Sequence, residues 1–182
     1  MDTRPHLETA IKEHLAPVLK SDGFKGSGRT YRRVNGDLIQ IVNVQGSRSG
    51  GKFAINLAVH PLCIPDLRSE TPNPSKIIEE YCEFRCRLSE HGADQWWEYE
   101  NSMESMSEAI KAATSVYCSV GRPLFEPFCG QNTPLHQITA AELENGSQRL
   151  YGFGSTKVRM ALGCVLNHAI HITVETRVSI AA

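Results

Sequence analysis

Asn35 and Gly36 sit between two runs that read as strands, Thr30 to Val34 and Asp37 to Gln45. Asn-Gly is the preferred pair for a two-residue type I′ turn, because both central positions need a positive φ. The pair therefore commits this stretch to an antiparallel hairpin. A loop rich in Gly and Ser, residues 46–51, leads to a third strand from Lys52 to His60. Side chains alternate across a strand, which puts Phe53, Ile55, Leu57 and Val59 on one face and Ala54, Asn56, Ala58 and His60 on the other. Cys82, Phe84, Cys86 and Leu88 alternate with Glu83, Arg85 and Arg87, which predicts a fourth strand over Tyr81 to Leu88. A short helix from Ser75 precedes it.

Helices flank the strands. Leu7, Ala10, Ile11, His14, Leu15 and Val18 recur at helical spacing, with Thr3 as N-cap and Pro5 in the first turn. Pro17 is expected to kink this helix or start a second short turn, and Gly23 to cap its end. Pro61, Pro65, Pro72 and Pro74 mark residues 61–76 as a loop, placed over a sheet edge. A second buried stripe follows: Met103, Met106, Ile110, Ala113, Val116 and Tyr117. Its capping box is either Asn101 with Glu104 or Ser105 with Glu108, and Gly121 with Pro123 is expected to end it. Thr139 with Glu142 and then Ser155 or Thr156 open further helices, while residues 170–180 read equally as helix or strand. This order gives the α+β class: a mainly antiparallel sheet of four or more strands packed against an N-terminal helix and C-terminal helices. Residues 1–182 form one domain.

At 182 residues such a chain builds a core without a metal or disulfide staple. No apolar run approaches the roughly 18 residues that span a bilayer. Asp2, Glu8 and Glu13 stand where a signal peptide needs apolar residues. A cytoplasmic protein with no membrane association is expected, and its six cysteines read as reduced thiols, mostly buried. The net charge of −1 hides an asymmetry. Residues 20–52 carry seven basic residues against two acidic, and residues 66–108 eleven acidic against four basic. A dipolar surface of this kind steers a partner.

The run from His14 through Leu15, Pro17, Leu19, Asp22 and Gly23 to Phe24, then Thr30, Tyr31 and Arg32, resembles the opening of DUF4304, a bacterial domain family of unknown function. So does Phe53 to Leu57. Cys86, Arg87 and Leu88, followed by Trp96 and Trp97, resemble the family's arginine-leucine and tryptophan-pair segment. The resemblance covers about residues 10–130, leaving a C-terminal helical extension over 131–182. It implies a bacterial cytosolic origin and brings no catalytic residue with it.

Several segments carry candidate chemistry. Residues 23–30 and 46–53 imitate the spacing of a phosphate-binding P-loop, but one follows a helix into a strand and the other joins two strands. A P-loop needs a helix N-terminus behind it. Lys25, Arg29, Arg48 and Lys52, on the basic loops 25–33 and 46–52, would attract phosphates if the fold gathers them, although a pI of 6.6 is low for a nucleic-acid binder. On a strand, Cys82 and Cys86 lie about 13 Å apart, too far to share a zinc. Cys164, His168 and His171 share one face only if that segment is helical, and no carboxylate accompanies them. No metal or cofactor is expected. No nucleophile elbow occurs, and Glu79-Glu80 reads as a solvated face. Arg85 and Arg87 form either an anion site or pairs with Glu83 and acids on a neighbouring strand, the pairing being favoured. Trp96 and Trp97, adjacent in an extended segment, point to opposite sides. One then anchors the core and the other faces Asp94, Glu98, Glu100 and Arg87; the alternative packs both under the proline-rich loop.

These features favour a protein-interaction module, accessory or immunity-type, whose partner is another protein. Nucleic-acid or phosphate-ligand binding through the basic loops is the second reading. An enzyme whose site is not readable from sequence is the third.

Overall fold

The computed structural model describes residues 4–126, apart from 63, 64, 83 and 93. The expectations for Thr3, for helices near 139 and 155, for residues 170–180 and for the Cys164, His168 and His171 set lie outside the described residues.

The strands are β1 (Lys25–Ser27), β2 (Thr30–Asn35), β3 (Leu38–Gly46), β4 (Lys52–Pro61), β5 (Phe84–Arg87) and β6 (Trp97–Glu98). They form one antiparallel sheet in the order β1-β2-β3-β4-β5, with β6 also paired to β4. The fold is α+β.

The β2–β3 hairpin turns one residue later than expected. Asn35 pairs with Leu38, leaving Gly36 and Asp37 as the loop. Gly36 has φ 57°, while Asp37 has no positive φ; these are the signs of a type II′ turn, which places Gly first. The register explains the shift. Tyr31 faces Val42, whereas a loop on Asn35 and Gly36 would set Tyr31 against Gln40.

One face of the sheet carries the main core. Tyr31, Leu38, Val42, Val44, Phe53, Ile55, Leu57, Val59 and Phe84 pack there against the helices. The first helix runs as α1 (Arg4–Ala10), a π-helical turn (Ile11–Leu15) and α2 (Ala16–Ser21). The second runs as α3 (Met103–Val116), a π-helical turn (Tyr117–Gly121) and α4 (Arg122–Phe125). Pro17 thus opens a second short helical segment, as expected, while the other helix continues through Pro123, which was expected to end it. The Ala16 amide donates to the Ile11 carbonyl, and the Arg122 amide to the Tyr117 carbonyl. Each wide turn ends two residues before a proline, Pro17 or Pro123. A proline ring clashes with the carbonyl four residues back, and the extra residue of a π turn makes room for it. That extra residue also rotates the apolar stripe, so Ala16 and Leu19 are buried while His14 and Val18 are half-buried.

Gly23, at φ 85°, closes the first helix. Its amide donates to Lys20 and the Phe24 amide to Leu19, the paired bonds of a Schellman cap. Asp22 ties the two helices together: its Oδ2 accepts from Tyr117 Oη at 2.9 Å and from Arg122 Nε at 2.8 Å. The second helix is capped by neither expected box. Ser102 is the N-cap, accepting from the Ser105 amide at 3.1 Å, while Ser105 Oγ accepts from the Glu100 amide.

Pro74 and Ser75 of the proline-rich segment stand beside Gly26 and Val34 at the β1–β2 edge, and the residues that follow cover half of the sheet's second face. Ile77 and Cys82 pack there on Ile39, Ile41 and Ala58, with Leu62 and Tyr81 beside them. Strand pairing starts only at Phe84, after a 3₁₀ turn at Glu79–Tyr81. Cys82 consequently leaves the side it was expected to share with Phe84 and Cys86, which pack on the main core. Among the described residues, no helix is long and apolar enough to cross a membrane.

Candidate functional site

The other half of the second face is open and polar. Strand alternation brings Thr30, Asn43, Gln45, Asn56 and Arg87 to it, through the pairs Thr30–Asn43, Asn43–Asn56 and Asn56–Arg87. Asn43 Nδ2 donates to Thr30 Oγ1 at 2.9 Å. Gln45 Oε1 accepts from Asn56 Nδ2 at 2.9 Å and from Arg87 Nη2 at 3.1 Å. Arg87 Nη1 in turn lies 2.8 Å from Asp94 Oδ1.

Trp96 stands at the end of this network. Trp97 enters the core and stacks on Phe53, with centroids 5.6 Å apart. Its neighbour is thereby turned to the open face. Trp96 Nε1 donates to Asp94 Oδ2 at 3.1 Å. Two cations lie over its ring, the Arg87 guanidinium at 4.6 Å and Lys52 Nζ at 5.4 Å. Each such contact contributes about 0.5–1 kcal/mol at an exposed site. Together they hold a half-buried tryptophan in one place. Beside it, Asn56, Arg85, Cys86, Arg87 and Asp94 line a recess of about 280 Å³. Arg85 is exposed and makes no hydrogen bond or ion pair among the described residues.

The structure does not gather Lys25, Arg29, Arg48 and Lys52 into one patch. Arg29 turns its Nε to 3.7 Å from Glu8 Oε1. Arg48 is exposed in the loop at that end of the sheet. Lys52 belongs to the Trp96 cluster. Lys25 lies at the β1 edge, directly opposite Arg32. Arg87 pairs with Asp94 from the segment before β6, since β4 beside it offers no acid. Asp94 was legible from its place two residues before Trp96. Gln45, 42 residues from Arg87, had no local signal beyond strand parity.

The thiols are poorly suited to nucleophilic chemistry, which needs a depressed pKa. Burial pushes Cys86 up to about 12 and raises Cys82 as well. Cys82, Cys86 and Cys118 are free. Among the described residues, no group of three His, Cys, Asp or Glu side chains is placed to hold a metal ion. The raised thiols have a consequence for stability. The unfolded chain gives up these protons first, near the ordinary 9.0, so raising the pH favours unfolding. Their contribution is complete below that pH and is lost as the pH rises toward about 12. Buried Tyr31 and Tyr117, also raised, act in the same direction only above their ordinary 10.0. The melting temperature is therefore expected to fall between pH 9 and 10, and Cys86→Ala to flatten that fall. An unchanged slope in the variant would refute the assignment.

The family model described as Domain of unknown function (DUF4304) matches residues 15–126, more than half of the chain. The chain belongs to this family. No curated protein and no solved structure matches it. The region matched in this DUF4304 protein contains all six strands, so the Trp96 face and the β1–β2 edge both lie inside it.

Proposed function

We propose that this DUF4304 domain is a protein-binding module, of accessory or immunity type, acting in the cytoplasm through the open half of its sheet. The observation that carries this reading is Trp96, half-buried between Arg87 and Lys52 and pinned by Asp94. Tryptophan and arginine dominate interface hot spots because they bury large area and keep a polar handle. A side chain already fixed in place gives up little entropy on binding. Asn56 and Arg87 both donate to Gln45, and Asn43 donates to Thr30, so this floor is polar and cross-linked. The partner that fits is a protein surface presenting carboxylates or backbone carbonyls to Arg85 and Arg87, with an apolar group for the tryptophan ring.

The test compares immobilised wild type, Trp96→Ala and Lys25→Gln as baits in lysate from the source cell, with captured proteins quantified and the leading one titrated. The expected result is a partner bound by wild type and by Lys25→Gln but at least about 30-fold more weakly by Trp96→Ala, the loss typical of a hot spot. Capture that is identical for wild type and Trp96→Ala would sink the proposal.

A further inference from the structure

A groove of about 480 Å³ lies at the opposite edge of the sheet, lined by Gly23, Lys25, Gly26, Arg32, Val34 and Ser75 among others. Its volume falls in the usual range for small-ligand sites. Lys25 and Arg32 are direct cross-strand partners, on the same face of the β1–β2 pair. Like charges placed opposite one another destabilise a sheet. Among the described residues no carboxylate makes an ion pair with either of them. Among the described residues Lys25 has no ion pair, and Arg32 meets one acceptor, the Ile77 carbonyl, 2.6 Å from its Nε. Arg32 is also partly desolvated, and that burial lowers its pKa, while the charge of Glu79 acts to raise it. Arg33 lines the groove too, but its guanidinium is engaged by Gln40 Oε1 and the Asp22 carbonyl. The walls supply the rest of a small-ligand site. Val34 is an apolar surface 51% exposed, Ser75 brings a hydroxyl, and Gly23 leaves the backbone approachable.

We infer that this groove binds a small ligand bearing a phosphate monoester or diphosphate, held between Lys25 and Arg32. An anion placed there bridges the two cross-strand cations, with charge-assisted hydrogen bonds from the Arg32 Nη groups. The site is independent of the Trp96 face and of its partner.

Inorganic phosphate, pyrophosphate and adenosine monophosphate serve as probes, read by thermal shift and calorimetric titration. Wild type is expected to gain stability in proportion to the logarithm of pyrophosphate concentration once the site saturates. Arg32→Gln and Lys25→Gln should each weaken pyrophosphate roughly tenfold to a hundredfold. Without ligand, Lys25→Gln should melt at the same temperature as wild type or higher, because Lys25 is exposed and makes no ion pair among the described residues. That sign separates a ligand site from a structural one. Tighter binding of adenosine monophosphate than of pyrophosphate assigns the phosphate to a nucleotide, and the reverse order to a free anion; either supports the site. Equal responses in wild type and Lys25→Gln would overturn it. So would a Lys25→Gln variant less stable than wild type without ligand, or a single-stranded RNA that outcompetes every small probe with a steep salt dependence.

Discussion

Trp97→Ala is expected to cost the domain about 3–5 kcal/mol, and Trp96→Ala, one residue earlier, about 1 kcal/mol. The contrast follows from what each ring touches. Trp97 is 7% exposed and stacks on Phe53, which is fully buried and also faces Tyr99 at 6.2 Å. Truncating it empties the corner where β4, β6 and α3 meet, and it leaves Phe53 without the ring on which it lies. Total stabilities of such domains are about 5–15 kcal/mol, so this single change removes a large share. Trp96 loses two cation contacts and one hydrogen bond at the surface. Urea unfolding of both variants, followed by near-ultraviolet circular dichroism, measures the difference. Equal losses would mean that Trp96 is part of the core, and would remove the ground for reading it as a binding residue.

The two tryptophans also show how the sheet divides its labour. Each strand gives one row of side chains to the helices and the other to the second face. On that face Ile39, Ile41 and Ala58 are roofed by Ile77 and Cys82. The roof reaches only part way. Beyond it the same strands present Asn43, Gln45 and Asn56, which cannot pack an apolar core; Asn43 bonds to Thr30, and Gln45 accepts from Asn56 and Arg87. A buried amide network is costly when incomplete and rigid when complete. Asn56 is buried and bonded to Gln45, which gives the face the fixed floor that a preformed contact surface requires.

Strand parity made much of this legible in the sequence. The split of β4 into Phe53, Ile55, Leu57 and Val59 against Ala54, Asn56, Ala58 and His60 is the split observed. What the sequence could not show was where non-local contacts override local signals. Asn35 and Gly36 carry the strongest turn signal, yet the loop sits on Gly36 and Asp37 because the pairing of Tyr31 with Val42 sets the register. Gly121 and Pro123 carry a strong stop signal, yet the helix runs through them, since a π turn one residue wider relieves the clash. The composition of the proline-rich segment says only that it is irregular. Ile77 and Cys82, which follow it and roof the second face, lie among residues that read as a helix and a strand. At the β1 edge the basic run after Gly23 looked like an imperfect phosphate loop. Its actual geometry is a tight hairpin that no P-loop comparison anticipates, and it is this hairpin that sets Lys25 against Arg32.

That hairpin gives the second large effect. Gly26→Ala is expected to destabilise the domain by about 2–4 kcal/mol, with the damage concentrated at β1. Gly26 has φ 151°, a region that side chains disfavour. A Cβ there would lie 2.3 Å from the Thr30 carbonyl oxygen and 2.9 Å from the Tyr31 Cα. Both neighbours are backbone, so no side-chain rotation relieves the contact, and the strands must part. β1 has only three residues, Lys25–Ser27, and little else holds it to β2. Phe24, just before it, packs on Phe125 at 5.7 Å, so displacement of β1 pulls on the core as well. Gly28→Ala is the control. Gly28 also has a positive φ, 61°, but its added Cβ meets nothing within 4 Å, so only the backbone strain of about 1–2 kcal/mol remains. Hydrogen exchange should show β1 and β2 amides losing protection in Gly26→Ala while the central β3–β4 pair keeps its own. The pyrophosphate response should vanish with β1, because Lys25 is carried away from Arg32. If Gly26→Ala proves as mild as Gly28→Ala and β1 stays protected, the close approach of β1 to β2 does not exist in solution, and the opposed cations lose the geometry that makes them a site.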